Sequence, residues 1–396
     1  MGPSRRPLTM AARTLLTLLS VAVLVAVGVV WFNLQRLRDN TNTTNALQDL
    51  QHEVATQSPP VDDGANDILL VGTDSRTDLQ GNPLPTSVLT RLRTQWDAGL
   101  NTDTLIVLRI PNNGAPAYAI SIPRDSYVSV PELGMTKVNG AYGLTKTNIE
   151  HQLGKSGKTA SEIEKESDEA GQVALLATVQ NLTGVHIDHY AEVGLYGFYL
   201  ISQAIGGVPV CLRQATVDKD SGADFPAGYQ VISGTDALSF VRQRKNLPDG
   251  DLDRIVRQQV FLESAAHKLI SSGVLANPAA LNKLVDAAKK SLVTDPGLDL
   301  LGLAQQAQAL TSGNVIFKTI PVVNSNGRSP DGQSIVVVDP NQVHQFFTGL
   351  AGAGSPTPSA PTVTPSPAAG SSAVHPAAAR FPLGVPANVN GVPCVN

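Results

Sequence analysis

Five cations crowd the stretch Phe240 to Gln259, read FVRQRKNLPDGDLDRIVRQQ: Arg242, Arg244, Lys245, Arg254 and Arg257. Asp249, Asp251 and Asp253 lie between them, which leaves a surplus of positive charge in a chain of formal net charge -4. A basic cluster in a mildly acidic protein calls for a local anion. Arginine forks match phosphate oxygens in pairs, and a helix start adds N–H donors and the positive end of the dipole. Asp253 reads as the N-cap of the helix that follows. Arg254, Arg257 and Gln258 then share one face of its first turns. Ile255, Leu262, Ala266 and Leu269 form a core stripe on another. Arg242 and Arg244 close the preceding helix and reach the same spot if the Lys245–Gly250 loop folds back. The alternative is salt bridging within an exposed loop, and the surplus of cations over acids counts against it.

Four further polar groups stand where strands begin or end. Gly72-Thr73-Asp74-Ser75-Arg76 follows the apolar run DILLVG, and ligands of open α/β sheets bind outside the carboxyl ends of strands. Turn chemistry explains Gly, Asp and Ser there but not Arg76. Asp103 opens the next strand, as a simple cap or as a second carboxylate. Two carboxylates brought together suit Mg²⁺, which takes one or two of them plus substrate phosphates. Ser121-Ile122-Pro123-Arg124-Asp125 closes the third strand, where Pro123 ends the ladder and sets Arg124 and Asp125 at the sheet edge. Lys137-Val138-Asn139-Gly140-Ala141-Tyr142 comes next.

The elements that hold these groups read as α/β. Asp67–Gly72, Thr104–Ile110 and Ala117–Ile122 are buried-strand runs, the last two joined by a Pro-Asn-Asn-Gly turn. Tyr190–Val193, Val208–Leu212, Ile316–Val322 and Ile335–Val338 are further strands. Helices are expected at Val173–Leu182, at Leu195–Ile205 with Gly206-Gly207 as its cap, and at Thr235–Arg242, Asp253–Ser271, Pro278–Leu292 and Pro340–Leu350. Strands interleaved with helices predict a sheet covered on both faces.

At 396 residues with 42% hydrophobic content a sizeable core is available. A pI near 6.0 argues against nucleic acid as a partner. Leu15–Phe32 is an uncharged run just long enough to cross a hydrocarbon core of about 30 Å. Arg5, Arg6 and Arg13 precede it, so a single-pass anchor with the rest of the chain outside the cell is expected, a cleaved signal peptide being the alternative. The expected divisions are a cytoplasmic stub at 1–14, a transmembrane helix at 15–33, a polar stalk at 34–65, a catalytic domain at 66–350, a Pro/Ser/Ala-rich linker at 351–380 and a short tail at 381–396. Cys211 and Cys394 exclude a multi-cysteine zinc site. In an oxidising exterior they can form one bridge, which the sequence leaves open.

Other motifs lead nowhere. Gly157-Lys158-Thr159 lacks the glycine that a nucleotide-binding loop needs at position 152, which is Gln152. There is no G-x-S-x-G elbow and no H-E-x-x-H. His189 reads as a satisfied core histidine, and the charge run Glu164–Glu169 as a solvated helix start.

Taken in order, GTDSR at 72–76, TDT at 102–104, SIPRD at 121–125, KVNGAY at 137–142, IDHY at 187–190, GGVPV at 206–210, FVRQR at 240–244 and DLDRIVRQQ at 251–259 resemble the LytR-CpsA-Psr proteins of Gram-positive and actinobacterial envelopes. The resemblance covers roughly residues 66 to 275. It implies a three-layer α-β-α sandwich with a mixed central sheet. It implies a phosphotransferase that moves a glycan phosphate from a polyprenyl pyrophosphate carrier to peptidoglycan, onto the 6-hydroxyl of muramic acid. Asp74 and Asp103 match its magnesium-binding aspartates, Mn²⁺ being a second possibility. Arg124, Arg242 and Arg244 match its pyrophosphate-binding arginines, and Arg257 and Gln258 match polar groups of the same pocket. Arg76, Lys137, Asp253 and Arg254 belong to the same motifs. The general base is left open between Asp125 and Asp253. Leu195–Ile205 is the expected wall of a lipid tunnel. Where family members often carry Arg two residues before the second aspartate, this chain has Asn101. A hydrolase or a non-catalytic binder of the same lipid is the alternative reading. A DNA-binding regulator would need a cytoplasmic module, and residues 1–13 are too short for one.

Overall fold

The computed structural model describes residues 42–53, 63–79, 81–95, 100–271, 277–299, 315–351 and 388–396, with Pro59. The expected anchor and the linker from 352 onward lie outside the described residues, among which no helix is long and apolar enough to cross a membrane. The strands are β1 (Asn42–Thr43), β2 (Ala65–Thr73), β3 (Thr102–Pro111), β4 (Ala117–Ser121), β5 (Ser126–Val130), β6 (Gly134–Lys137), β7 (His189–Val193), β8 (Val208–Leu212), β9 (Thr216–Asp218), β10 (Ala223–Phe225), β11 (Gly228–Ile232), β12 (Leu292–Thr294), β13 (Val315–Thr319), β14 (Asn324–Arg328), β15 (Ser334–Val337), β16 (Asn388–Val389) and β17 (Val392–Val395). The helices are α1 (Ala46–Glu53), α2 (Thr86–Arg91), α3 (Gly140–Leu153), α4 (Ala160–Thr183), α5 (Leu195–Ala204), α6 (Gly234–Arg242), α7 (Asp251–Ser271), α8 (Pro278–Lys289) and α9 (Pro340–Ala351).

The central sheet has seven strands in the order β1-β12-β7-β2-β3-β4-β13. It is mixed: β2 runs antiparallel to β3 and parallel to β7, and β4 runs antiparallel to β3 and parallel to β13. The two-residue period of a strand sends alternate side chains to opposite faces. Leu69, Val71, Leu105, Val107 and Ile120 pack on one face in a single core with Leu175, Leu176 and Val179 of α4 and Phe347 of α9. The other face, with Leu70, Gly72, Thr104 and Ile106, looks into a cavity beneath α5, α6 and α7. The helix at 195–204 ends as expected, with Gly206 in the left-handed conformation (φ 80°) that favours glycine.

One expectation is corrected. Residues 42–53 do not form a stalk: β1 pairs with β12, and Ala46, Leu47 and Leu50 enter the main core. An eight-residue helix is marginal alone, but burying each leucine contributes about 1.5–3 kcal/mol, so packing decides. The bridge that the sequence leaves open is formed, and the tail joins the fold. Strand β17 pairs in parallel with β8, and Cys394 is bonded to Cys211 across 183 positions of sequence. Cys394→Ser is expected to lower the unfolding free energy by about 2–4 kcal/mol, read by urea titration against the oxidised parent. An unchanged midpoint would show that the tail strand holds without the bond.

Candidate active site

The cavity between sheet and helices has a volume of about 710 Å³. Its interior is apolar, with Leu70, Ile106, Phe198, Leu238, Phe261 and Leu262 among the lining residues. This explains one departure on α7. Leu262 and Ala266, expected in the core stripe, are exposed, and the packed residues are Ile255, Val260, Phe261 and Ala265. The face of α7 carrying Leu262 borders the open cavity, and the packed face meets the core around β8.

Charge gathers at one end of the cavity, where Asp103, Arg124, Arg242, Arg244, Asp251, Arg254 and Gln258 line it. Asp103 projects from the start of β3 and pairs with Arg124. Arg254 Nη2 donates to the Asp103 carbonyl at 3.4 Å. Burial alone would raise the Asp103 carboxyl, but Arg124, Arg254 and Arg244 together hold it below the usual range. Asp74 accepts the Asn101 amide at 2.7 Å, donates its own amide to the Asn101 carbonyl at 3.1 Å, and lies 3.4 Å from Arg76. Burial raises its carboxyl, opposed by Asn101 and Arg76 and reinforced by the charge of Asp103. The two aspartates therefore sense each other. Asp103 lines the cavity while Asp74, on the loop after β2, is not among its lining residues, and no group of three or more His, Cys, Asp or Glu able to hold a metal occurs among the described residues.

The arginines differ in how they are held. Arg242 Nη1 donates to the Leu92 carbonyl at 3.2 Å. Burial pushes its guanidinium down, against the charges of Asp103 and Asp74. The Arg244 amide donates to Asp218 at 3.3 Å while its side chain is 54% exposed at the mouth. Arg254 is almost fully buried, and burial with the neighbouring Arg124 charge pushes it down to about 10 despite Asp251 and Asp103. Gln258 donates to the Val241 carbonyl at 3.2 Å and ties α7 to α6.

Asp251 is the residue that sequence reasoning passed over. Its Oδ1 lies 2.9 Å from Arg254, 3.4 Å from Arg124 and 3.6 Å from Arg244. Three guanidiniums from two segments thus share one carboxylate. The signal available was its place at the first position of α7, where a carboxylate is ordinarily read as dipole compensation. Asp251→Asn is expected to cost about 1.5–3 kcal/mol of stability, the worth of hydrogen bonds to charged groups. Added inorganic pyrophosphate should raise the melting temperature of the variant more than that of the parent. Equal shifts would contradict an anion site at these arginines.

Three other candidates stand elsewhere. Arg257 does not face the cavity. Its Nη1 donates to Gln243 at 2.7 Å, its Nε to the Asn396 main-chain oxygen at 2.5 Å, and its guanidinium lies over the Phe240 ring at 5.0 Å. Three positions along a helix turn a side chain some 60° from the starting face, enough to direct it at the tail. Asp253 is not the N-cap, because α7 begins at Asp251, and its carboxylate accepts the Asp249 amide at 3.0 Å. Lys137 pairs with Asp125 at 2.9 Å, and the adjacent Asn139 amide donates to the Arg124 carbonyl at 3.1 Å, so this loop buttresses Arg124 from behind. Neither Asp125 nor Asp253 is among the lining residues, nor is Arg76, which is bound to Asp74.

An apolar cavity with Asp103 and several arginines at one end thus lies between sheet and helices. The LytR_cpsA_psr family model matches residues 29–351. The chain belongs to that family. It is 50% identical over 297 residues to the cell wall biosynthesis protein LcpA of Corynebacterium glutamicum, a match covering 75% of this chain and 57% of that relative. The chain thus spans little more than half the length of that relative. It is 27% identical over 251 residues to the polyisoprenyl-teichoic acid–peptidoglycan teichoic acid transferase TagU of Oceanobacillus iheyensis, covering 63% of this chain and 70% of the other. A LytR-Csp2A-Psr enzyme from Actinomyces oris has the same fold, with a TM-score of 0.51 at 18% identity over 74% of this chain and 93% of that one.

Proposed function

We propose that this family member transfers a glycan phosphate from a polyprenyl pyrophosphate carrier to a peptidoglycan hydroxyl outside the cell membrane, to which an N-terminal helix anchors it. The observation that carries the reading is the union of two unlike surfaces in one cavity. The apolar interior between sheet and helices suits a hydrocarbon chain, and Arg124, Arg242, Arg244 and Arg254 at its mouth suit a pyrophosphate. A free sugar phosphate would not need the first surface, and a simple lipid would not need the second.

In this reaction the acceptor oxygen bonds to the glycan-linked phosphorus, and the bond from that phosphorus to the bridging oxygen breaks. Polyprenyl phosphate leaves with the bonding pair, and the hydroxyl proton passes to solvent. Arg242 and Arg124 stabilise charge as it builds on the bridging and leaving oxygens, in a setting where a fixed donor is worth far more than in water. Asp251 and Asp103 hold the guanidiniums in place beforehand. Asp74 and Asp103 offer the oxygen donors that Mg²⁺, or Mn²⁺, prefers; when bound, such an ion supplies further charge neutralisation on phosphate oxygens.

Binding tests the donor part of the reading. Full-length protein in detergent micelles should bind polyprenyl pyrophosphate at least about tenfold more tightly than the monophosphate, a difference of about 1.4 kcal/mol. Equal affinities would mean that the arginine mouth does not read the second phosphate.

A further inference from the structure

Residues 81–95, between Asp74 and Asp103, form a strap against the helices that cover the cavity. Leu84, Leu89 and Leu92 of this strap pack in one buried cluster with Leu195 and Tyr199 of α5 and Leu238 of α6. Leu195 and Leu238 also line the cavity, so the strap backs directly onto its cover. At the start of the strap, the Leu84 amide donates to the Arg76 carbonyl at 2.8 Å, close to Asp74. At its other end three successive residues grip α6. The carbonyls of Arg91 and Leu92 fall at the end of α2, where main-chain acceptors lack intrahelical donors. Arg91 accepts from Thr235 Oγ1 at 2.8 Å, and Leu92 from Arg242 Nη1 at 3.2 Å. Arg93 then reaches along α6. It donates to Ser239 Oγ at 2.8 Å and to Asp236 at 3.3 Å, and its Nη1 also meets the Gly222 carbonyl ahead of β10.

Arg93 does this from a strained backbone. Its φ is 51°, in the left-handed region that residues other than glycine seldom adopt. Such a conformation persists only where its surroundings over-determine it, and it clusters at functional sites. Here the contacts of the guanidinium do so. Gly222 gives them room, because a Cβ there would collide with the Arg93 side chain. Asp236 is more than half exposed, and an exposed ion pair holds little. The firm anchors are Ser239, which is 1% exposed, and the Gly222 carbonyl.

We propose that Arg93 is a positioning residue for the reaction at the pyrophosphate: it locks the strap on α6 and so fixes the Leu92 carbonyl that aims Arg242 into the cavity mouth. A carbonyl is an uncharged acceptor. It orients the guanidinium without neutralising it, as a carboxylate in the same place would, and leaves its charge for a phosphate. This role rests on the reading of Arg242 as a ligand of the donor's pyrophosphate.

Release of polyprenyl phosphate from a lipid-linked glycan tests it, because that product forms whether the glycan passes to peptidoglycan or to water. Full-length protein in detergent micelles is assayed at saturating donor with peptidoglycan present, as the parent, Arg93→Gly, Arg242→Ala and the double variant. Glycine removes the guanidinium and accepts a φ of 51° without strain. Arg93→Gly is expected to lower kcat about tenfold or more while changing the donor KM less than about twofold. It is expected to cost nothing further in the Arg242→Ala background, since residues that act through one group are not additive. Parent-like turnover in Arg93→Gly, or losses that multiply in the double variant, overturns the role; a merely structural contact would slow both backgrounds alike. The expected pattern of release with no glycan reaching peptidoglycan removes transfer and leaves Arg93 in its role. No release by the parent removes cleavage itself, and the role of Arg93 with it.

Discussion

Arg242→Ala lowers glycan transfer by about 10²–10³-fold, the usual effect of deleting one fixed donor at a developing oxyanion, while the circular dichroism spectrum and melting temperature stay those of the parent. The expectation follows from where the side chain is held. One guanidinium nitrogen is fixed to the Leu92 carbonyl at 3.2 Å, and the charges it senses most are those of Asp103, Arg76 and Asp74. It is therefore preorganised against the aspartate pair and owes little to the fold, since no carboxylate pairs with it directly among the ion pairs of the described residues. Arg244→Ala acts in the same direction with a smaller effect, because its side chain is half exposed and its nearest carboxylate, Asp251, is 3.6 Å away. Steady-state transfer at saturating donor separates the two. Parent-like turnover in Arg242→Ala would remove this residue from the reaction.

Asp103→Asn produces a loss of the same order through a different cause. The carboxylate sits among Arg124, Arg254 and Arg244, and their charges outweigh burial to keep it ionised. On the proposed reading the amide removes one of two oxygen donors offered to Mg²⁺, and it leaves Arg124 with Asp125 and Asp251 as its remaining partners. Turnover is expected to fall about 10²–10³-fold, with the Mg²⁺ concentration for half-maximal rate raised at least about tenfold, since Mg²⁺ sites of this kind rest on one or two carboxylates. The split matters: an interaction made only in the transition state lowers kcat and kcat/KM together. A variant with normal turnover and an unshifted Mg²⁺ dependence would leave Asp74 without a partner.

Much of the fold was legible because apolar runs and punctuation are local. The strands at 65–73, 102–111 and 117–121 and the glycine-closed helix at 195–204 carry their own signals. What escaped depended on distant partners. Helix α1 has only three small or medium apolar residues in a polar setting, and their value appears only when α4 lies beneath them. The tail strand lies beyond a low-complexity stretch, and its partner β8 is 183 positions away by the cysteine count. The site followed the same rule. Asp103, Arg124, Arg242, Arg244, Arg254 and Gln258, which the structure brings together along the cavity, are singled out in the sequence by their place at strand and helix ends. Arg257 was misplaced because helical spacing gives a face only approximately, and the partners that claim it, Gln243 and Asn396, are invisible to spacing. Asp251 was missed because one carboxylate serving three arginines resembles a capping residue until the segments fold together.

Transfer to peptidoglycan, as opposed to hydrolysis, is directly measurable. Full-length protein in micelles, supplied with Mg²⁺ and a polyprenyl pyrophosphate-linked glycan labelled in the sugar, is incubated with and without nascent peptidoglycan. Label is expected to stay covalently on the peptidoglycan through detergent boiling and to be released by muramidase as a glycan phosphate–muropeptide. Label recovered only as free glycan phosphate, at the same rate with or without peptidoglycan, would contradict it and make the protein a hydrolase of the same lipid.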